Sequence, residues 1–342
     1  MTRILIVRRD NIGDLICTLP LIASIRKLDP KARIDLLVNS YCAPVVANNP
    51  DVDHVYIYTK AKHKEAGETA FGVYLKRFWL TLTLRWLRYD WVVLANVGYL
   101  PRPLRWAKQI GAKRVIGFVD QANLGKDKTL TDPILLERTV VKHEVEYLML
   151  LLAPLGQVAQ IPAARITPEP TALQNAQRIL RNQPSAQPLV GINISARLPS
   201  QQWPAERFIE LIHQLSGHYR CVLFWAPGSQ TNVGHPGDDE KAAEIVSACQ
   251  GLVLTPYPTK SLGELIAGIA CTELLITADG GALHIGAACN KPIVALFGDS
   301  ESKQWYPWAV PHTILHPASR DVRSITAVEV AEACRALYEQ QP

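Results

Sequence analysis

Two rhythms of hydrophobic and polar positions alternate along this chain. Short, nearly unbroken apolar runs predict buried strands at RILIV (3–7), ARIDLLVN (32–39), VDHVYIY (52–58), WVVLANV (91–97) and KRVIGF (113–118). Longer stretches, in which apolar residues return every three or four positions, predict helices over 15–28, 70–88 and 142–153. Strand following helix in this way points to a parallel sheet wrapped by helices. Residues 154–170 break the rhythm with several prolines and read as a linker. The alternation then restarts, with strands at 188–194, 221–226, 252–254, 273–278, 292–298 and 312–317. The helices of this half fall at 205–216, 238–249, 261–270, 282–289 and 326–340. No stretch of sequence repeats. The expected fold is α/β: two Rossmann-like, doubly wound parallel-sheet domains facing a cleft at the carboxyl ends of their strands, where substrates bind. The expected domains are 1–160 and 161–325, followed by a terminal helix in 326–342.

Composition supports this picture and narrows it. A chain of 342 residues is long enough for two domains. Its 48% hydrophobic and 20% charged residues exclude a disordered or fibrous protein. The net charge of +5 is too mild to indicate nucleic acid. Its distribution is uneven: residues 1–160 carry 23 Lys and Arg against 15 Asp and Glu, a net of +8, and the remainder has a net of −3. Such asymmetry suits an anionic partner, whether a phosphorylated substrate or a membrane surface, or else reflects drift of solvated charge. The most apolar stretch, Phe78 to Leu100, is broken by Arg85, Arg88 and Asp90, short of the ~18 uncharged residues that a membrane span requires. The opening apolar run is closed by Arg8 and Arg9, so no secretory leader is expected and the chain should stay in the cytoplasm. Seven scattered cysteines with no C-x-x-C pair indicate neither a disulfide framework nor a zinc site.

Four segments at the ends of expected strands carry candidate chemistry. Arg9-Asp10-Asn11-Ile12-Gly13-Asp14 leads from the first strand into a helix. Gly13 would permit a tight turn with positive φ. Asp14 can act as a general base or cap the helix, and alone the cap is the simpler reading. Thr277-Ala278-Asp279-Gly280-Gly281-Ala282-Leu283-His284 has the same layout. Free N–H groups at Gly280, Gly281, Ala282 and Leu283 would suit a diphosphate, Asp279 could accept sugar hydroxyls, and His284 is either a ligand contact or a core histidine. Asn193 to Arg197, ahead of Trp203-Pro204, offers Ser195 and Arg197 to phosphates, with Trp203 as packing. Finally, Trp225 to Ser229 and Gly234 to Glu240 form a glycine- and proline-rich loop after a strand. Its Asp238-Asp239-Glu240 cluster suggests a metal less than it suggests a helix start, where acids complement the dipole.

Together these segments resemble the ADP-heptose:lipopolysaccharide heptosyltransferases, glycosyltransferase family nine. The resemblance runs through R-x-D-N-I-G-D-x-x-x-T-x-P (8–20), N-x-S…W-P-x-E-R-F (193–208), D-x-G-x-x-H-x-x-A-A (279–288) and V-A-L-F-G (294–298). It implies the GT-B fold, with acceptor on the first domain and nucleotide sugar on the second, and a last helix crossing back to the first. It also implies inverting transfer from ADP-heptose to an anionic, lipid-linked lipopolysaccharide core acceptor, without cofactor or metal. Asp14 matches the family's catalytic base, with Asn11 and Gly13 beside it on the acceptor side. Asp279 and His284 match residues that hold the donor sugar. One departure stands out: where the family often has a phosphate-binding lysine two residues before Trp203, this chain has Gln201, so Arg197 is expected to take its place.

Two further readings remain: the same fold using another nucleotide sugar, and a non-catalytic member that binds sugar or nucleotide. No G-x-S-x-G elbow supports a hydrolase. Lys60, Lys62, Lys64, Lys76, Arg77, Arg85 and Arg88 surround a Trp- and Leu-rich segment that would rest on a membrane or pack as an ordinary amphipathic helix on the sheet.

Overall fold

In the computed structural model, which describes residues 1–59, 70–181, 186–229, 231 and 237–340, the chain divides after Arg165 into two units. The strands of the first are β1 (Arg3–Val7), β2 (Arg33–Asn39), β3 (His54–Tyr58), β4 (Trp91–Leu94), β5 (Arg114–Val119) and β6 (Asp132–Leu135). They form one sheet in the order β3-β2-β1-β4-β5-β6, parallel throughout. Central β1 is buried from Ile4 to Val7, which is why its sequence is apolar at successive positions rather than at alternate ones. Helices α1 (Ile12–Leu28), α2 (Ala70–Trp86), α3 (Pro101–Ile110) and α4 (Glu144–Met149) belong to this unit.

The second unit contains β7 (Leu189–Asn193), β8 (Arg220–Trp225), β9 (Leu254–Pro258), β10 (Leu274–Ala278), β11 (Ile293–Leu296) and β12 (His312–Leu315), in the order β12-β11-β10-β7-β8-β9, again all parallel. Counted from its own first strand, this is the connectivity of the first unit, so one topology is built twice without a sequence repeat. The helices are α5 (Pro170–Leu180), α6 (Ala205–Leu215), α7 (Asp239–Ala248), α8 (Leu262–Ala270), α9 (Gly281–Ala288), α10 (Ser302–Trp305) and α11 (Ala327–Glu339). In both sheets the winding reverses beside the first strand, between β1 and β4 and between β7 and β10. The crevice outside the carboxyl ends at such a switch point is where doubly wound sheets bind ligands.

The apolar pattern did not disclose β6, α3 or α5. β6 is short and carries Pro133; β9, with Pro256 and Pro258, is likewise irregular. Both lie at sheet edges, where a residue without an N–H is tolerated. Helix α3 opens with Pro101 in its first turn and ends at Gly111 in the left-handed conformation (φ 70°). Helix α5 emerges from the expected linker because the Glu169 carboxylate accepts the N–H groups of Thr171 and Ala172 at 2.9 and 2.7 Å.

The terminal helix α11 packs in the core of the second unit. Its Val330, Ala331, Cys334 and Leu337 join Phe208, Leu211, Ile212 and Leu215 of α6 in one buried cluster. Thr326 and Glu329 close its start, Glu329 N–H to Thr326 Oγ1 at 3.2 Å and Thr326 N–H to Glu329 Oε2 at 2.8 Å. All seven cysteines are free thiols, and six of them are buried as small apolar side chains.

Candidate active site

At the first switch point β1 delivers Arg8 into the interior. Its side chain is 1% exposed, and it is the hub of a charge cluster. Nη2 donates to Asp14 Oδ1 at 2.6 Å and to Glu144 Oε1 at 3.1 Å, while Nη1 donates to the carbonyl of Ala95, just beyond β4. Nε lies 3.5 Å from Asp10 Oδ2. Burial opposes the charge on Arg8, but Asp14, Glu144 and Asp10 outweigh it and hold the guanidinium above its ordinary pKa. Glu144 reaches the cluster from the start of α4, where the His143 ring accepts the N–H of Val145 at 3.1 Å.

Asp14 occupies the third position of α1, behind the capping residue Asn11. Its Oδ2 accepts the Asn11 N–H at 3.1 Å, so it contributes to closing the helix while its other oxygen faces Arg8. Base and cap are therefore compatible here. Gly13 departs from expectation: it lies in the first turn of α1 and is not among the residues with positive φ.

Beside this cluster a cavity of about 950 Å³ is lined by Arg9, Asp10, Tyr58, Arg77, Arg102 and Arg105, among others. Arg9 donates to the Tyr58 hydroxyl at 3.0 Å, and Arg77 lies 4.9 Å from the centroid of the Trp106 ring. Among the described residues that line it, four guanidinium groups stand against one carboxylate, which favours an anionic guest.

At the second switch point Asp279 follows β10. The carboxylate accepts the Ser300 hydroxyl at 2.6 Å and the Gln201 amide at 3.0 Å, and Gln201 also donates to Ser300 at 3.1 Å. Burial pushes the Asp279 carboxyl above the ordinary range, partly offset by these hydrogen bonds. Gln201 reaches this position because its loop passes against Gly298, where any Cβ would fall 2.1 Å from the Ser200 carbonyl. Gly280 has φ 153°, a conformation that favours glycine, and nothing lies within 4 Å of where its Cβ would be. The backbone there is open to a ligand. The N–H groups of Gly281, Ala282 and Leu283, in the first turn of α9, form the helix end that attracts anions, while the Ala282 and Leu283 side chains are buried.

The other expected donor-side residues divide. Arg197 is exposed and makes no hydrogen bond or ion pair with the described residues, which leaves it available. Ser195 is committed within the unit: its hydroxyl donates to Asp238 at 2.6 Å and accepts the Ala226 N–H at 2.9 Å. His284 is buried, with its ring edge-on to Trp305 at 5.9 Å. Trp203 is packing, with its indole N–H donating to the Ile325 carbonyl at 2.9 Å. Asp239 accepts Trp225 Nε1 at 2.7 Å and the Gly228 N–H at 2.8 Å, so Asp238 and Asp239 serve the loop and the start of α7. Gly234, His235 and Pro236, and Lys60, Lys62 and Lys64, lie outside the described residues. Sequence reasoning did not single out Arg8, Glu144, the arginine-lined cavity or Lys241, whose ammonium donates to the Trp203 carbonyl at 2.6 Å. Arg8 did leave a signal, a charge directly after the apolar run Ile4–Val7. Glu144 left none, since 136 residues separate it from its partner.

Two parallel sheets of identical winding, each with polar residues at its switch point, make up the GT-B fold. Residues 106–328 match the model of glycosyltransferase family 9 (heptosyltransferase), and the chain belongs to that family. It is thus a glycosyltransferase. Among relatives, lipopolysaccharide heptosyltransferase 3 of Escherichia coli is 27% identical over 301 residues, covering 87% of this chain and 84% of the relative. Among solved structures, the family 9 glycosyl transferase of Veillonella parvula superposes with a TM-score of 0.83 at 22% identity, covering 99% of this chain and 98% of that one. The E. coli heptosyltransferase WaaC with ADP-2-deoxy-2-fluoro heptose superposes with a TM-score of 0.73 at 18% identity, covering 98% and 99%. Both likenesses concern the fold.

Proposed function

We propose that this chain transfers a heptose from ADP-heptose to a lipopolysaccharide core acceptor, with inversion, and that Asp14 is the general base. The observation that carries the assignment of Asp14 is its placement at the carboxyl end of β1, with one oxygen held by Arg8 and the other by the Asn11 N–H. A carboxylate fixed in this way is oriented before substrate arrives, and general base catalysis depends on such positioning. It would accept the proton of an acceptor hydroxyl as that oxygen bonds to the anomeric carbon, while the bond to ADP breaks on the opposite face. The N–H groups at the start of α9 would stabilise the departing diphosphate, and Asp279 would accept sugar hydroxyls. The arginine-lined cavity would hold anionic groups of the acceptor. The donor class and the lipopolysaccharide acceptor follow the names of the relatives, and the cytoplasmic face of the inner membrane is where such an acceptor would be met.

The test is single-turnover transfer from ADP-heptose to a truncated core acceptor, wild type against Asp14→Asn. Loss of the base should lower the rate about 10²–10⁴-fold, with ADP affinity unchanged. Comparable rates would remove Asp14 as base. One observation favours a second reading: Gln201, neutral and bonded to Asp279, stands where a lysine is usual in the family. A donor other than ADP-heptose would show as faster transfer from a UDP- or GDP-sugar in the same assay, and absence of transfer from every donor would indicate a binding protein.

A further inference from the structure

At the second switch point one carboxylate is aimed by two other segments of the chain. Asp279 follows β10, and its Oδ2 accepts both the Ser300 hydroxyl at 2.6 Å and the Gln201 amide at 3.0 Å. The same amide nitrogen, which carries two hydrogens, also donates to Ser300 Oγ at 3.1 Å. Ser300 therefore accepts from Gln201 and turns its own hydrogen toward Asp279, and the three side chains close a triangle. The Gly280 N–H donates to the same carboxylate. Both side-chain donors fall on Oδ2; among the described residues no side-chain donor falls on Oδ1.

Joining the loops does not require this triangle. Gln201 ends the 3-10 turn Pro199–Gln201, and Ser300 lies between β11 and α10. Ser200 already links the two segments: its carbonyl lies where any Cβ on Gly298 would fall, and its hydroxyl accepts the Asp299 N–H at 3.3 Å. Trp203 ties the first segment to the Ile325 carbonyl, and the His316 ring ties the second through the Gly298 carbonyl at 2.9 Å and Ser302 at 3.1 Å. Nor does the triangle neutralise a charge. A guanidinium would do that better, yet Arg320 pairs at 3.0 Å with the exposed Asp299 instead. Neutral donors gathered on one oxygen leave the carboxylate its charge and fix its orientation. Gln201 itself is buried, so the amide is held as firmly as the group it orients. Beside this corner the bare backbone of Gly280 and the N–H groups of α9 leave room for a ligand.

We propose that Gln201 and Ser300 are positioning residues that set donor-sugar specificity, turning Asp279 so that Oδ1 meets a hydroxyl on the sugar of a nucleoside diphosphate sugar. The proposal rests on the reading of Asp279 as a sugar contact. It separates the sugar from the nucleotide: the clamp acts on the first and leaves the second alone. The test is calorimetry of the full chain with ADP-heptose and with ADP, for wild type, Gln201→Met, Ser300→Ala, Ser300→Thr and Asp279→Asn. Methionine keeps the length of glutamine without its donors, and threonine keeps the hydroxyl of serine. Wild type should bind ADP-heptose more tightly than ADP. Gln201→Met and Ser300→Ala should each lose about 3–10-fold in affinity for ADP-heptose, the worth of one hydrogen bond, with ADP affinity unchanged. Ser300→Thr should retain the preference, and Asp279→Asn should lose at least as much as either clamp variant. If Gln201→Met is poorly folded, Ser300→Ala against Ser300→Thr supplies the comparison. Equal losses for ADP and ADP-heptose would mark a merely structural role and overturn the proposal. A preference kept by the folded clamp variants but lost in Asp279→Asn would overturn the clamp and leave the reading of Asp279 intact. A wild type that binds both ligands alike, or an Asp279→Asn variant that discriminates as well as wild type, would overturn that reading and the proposal with it.

Discussion

Replacing Arg8 by methionine tests the charge cluster at the end of β1. The change keeps much of the side-chain length but removes the guanidinium that contacts both Glu144 and Asp14. It also leaves the Ala95 carbonyl without its donor. The Glu144 side chain is only 3% exposed, so water cannot replace the guanidinium. Removing one partner of a buried ion pair costs about 3–5 kcal/mol, because the surviving charge stays desolvated. At roughly 2–4 °C per kcal/mol for a unit of this size, the melting temperature should fall by about 6–20 °C. The pH dependence has the same cause. Without Arg8 the buried Glu144 carboxylate loses its guanidinium, a cost that protonation relieves, so the deficit should shrink as pH falls toward ~4, where the unfolded carboxyl is also protonated. Adding Glu144→Gln should restore a large part of the loss at pH 7, since an amide needs no cation. Thermal and urea unfolding at pH 5 and pH 8 measure all of this. A loss below about 1 kcal/mol, or a deficit independent both of pH and of Glu144→Gln, would show that Arg8 does not neutralise a buried carboxylate.

Two other outcomes are expected on the donor side. Arg197→Ala should weaken ADP binding in calorimetry by about 1.5–3 kcal/mol, the scale of a hydrogen bond to a charged group, with melting unchanged because Arg197 makes no polar contact with the described residues; unaltered ADP affinity would exclude it as the phosphate ligand. Asp279→Asn should raise the melting temperature at pH 8 while impairing transfer. Burial raises the folded-state pKa of Asp279, so its ionisation costs stability as pH rises through that value, and the advantage of the amide should vanish below ~pH 4, where Asp is protonated in both states. A variant less stable than wild type at pH 8 would count against a strained carboxylate.

The sequence by itself determined the order of most elements and the winding of both units. Apolar runs at 3–7, 188–194 and 273–278 are long enough and β-branched enough to specify buried parallel strands, and chain connectivity puts the next few residues at the carboxyl end of each strand. Hence Asp14 and Asp279 could be placed at strand ends from spacing alone. Elements whose stability comes from caps or edge position rather than periodicity, such as α3, α5 and β6, left weak traces in the pattern. Only the tertiary structure decided how the side chains at the site are engaged. Arg8 and Glu144 meet across 136 positions because the ends of β1 and α4 come together, and no local rule encodes such a contact. Ser195, free in a linear reading, is occupied by Asp238, and Gln201 becomes a partner of Asp279 through a loop pressed against Gly298. The apolar residues of α2 were legible as a helix, but which of them face the core and which face outward depends on where the sheet lies. Periodicity records that a residue avoids water; burial and hydrogen-bond partners, which arise only when distant segments meet, record what it does instead.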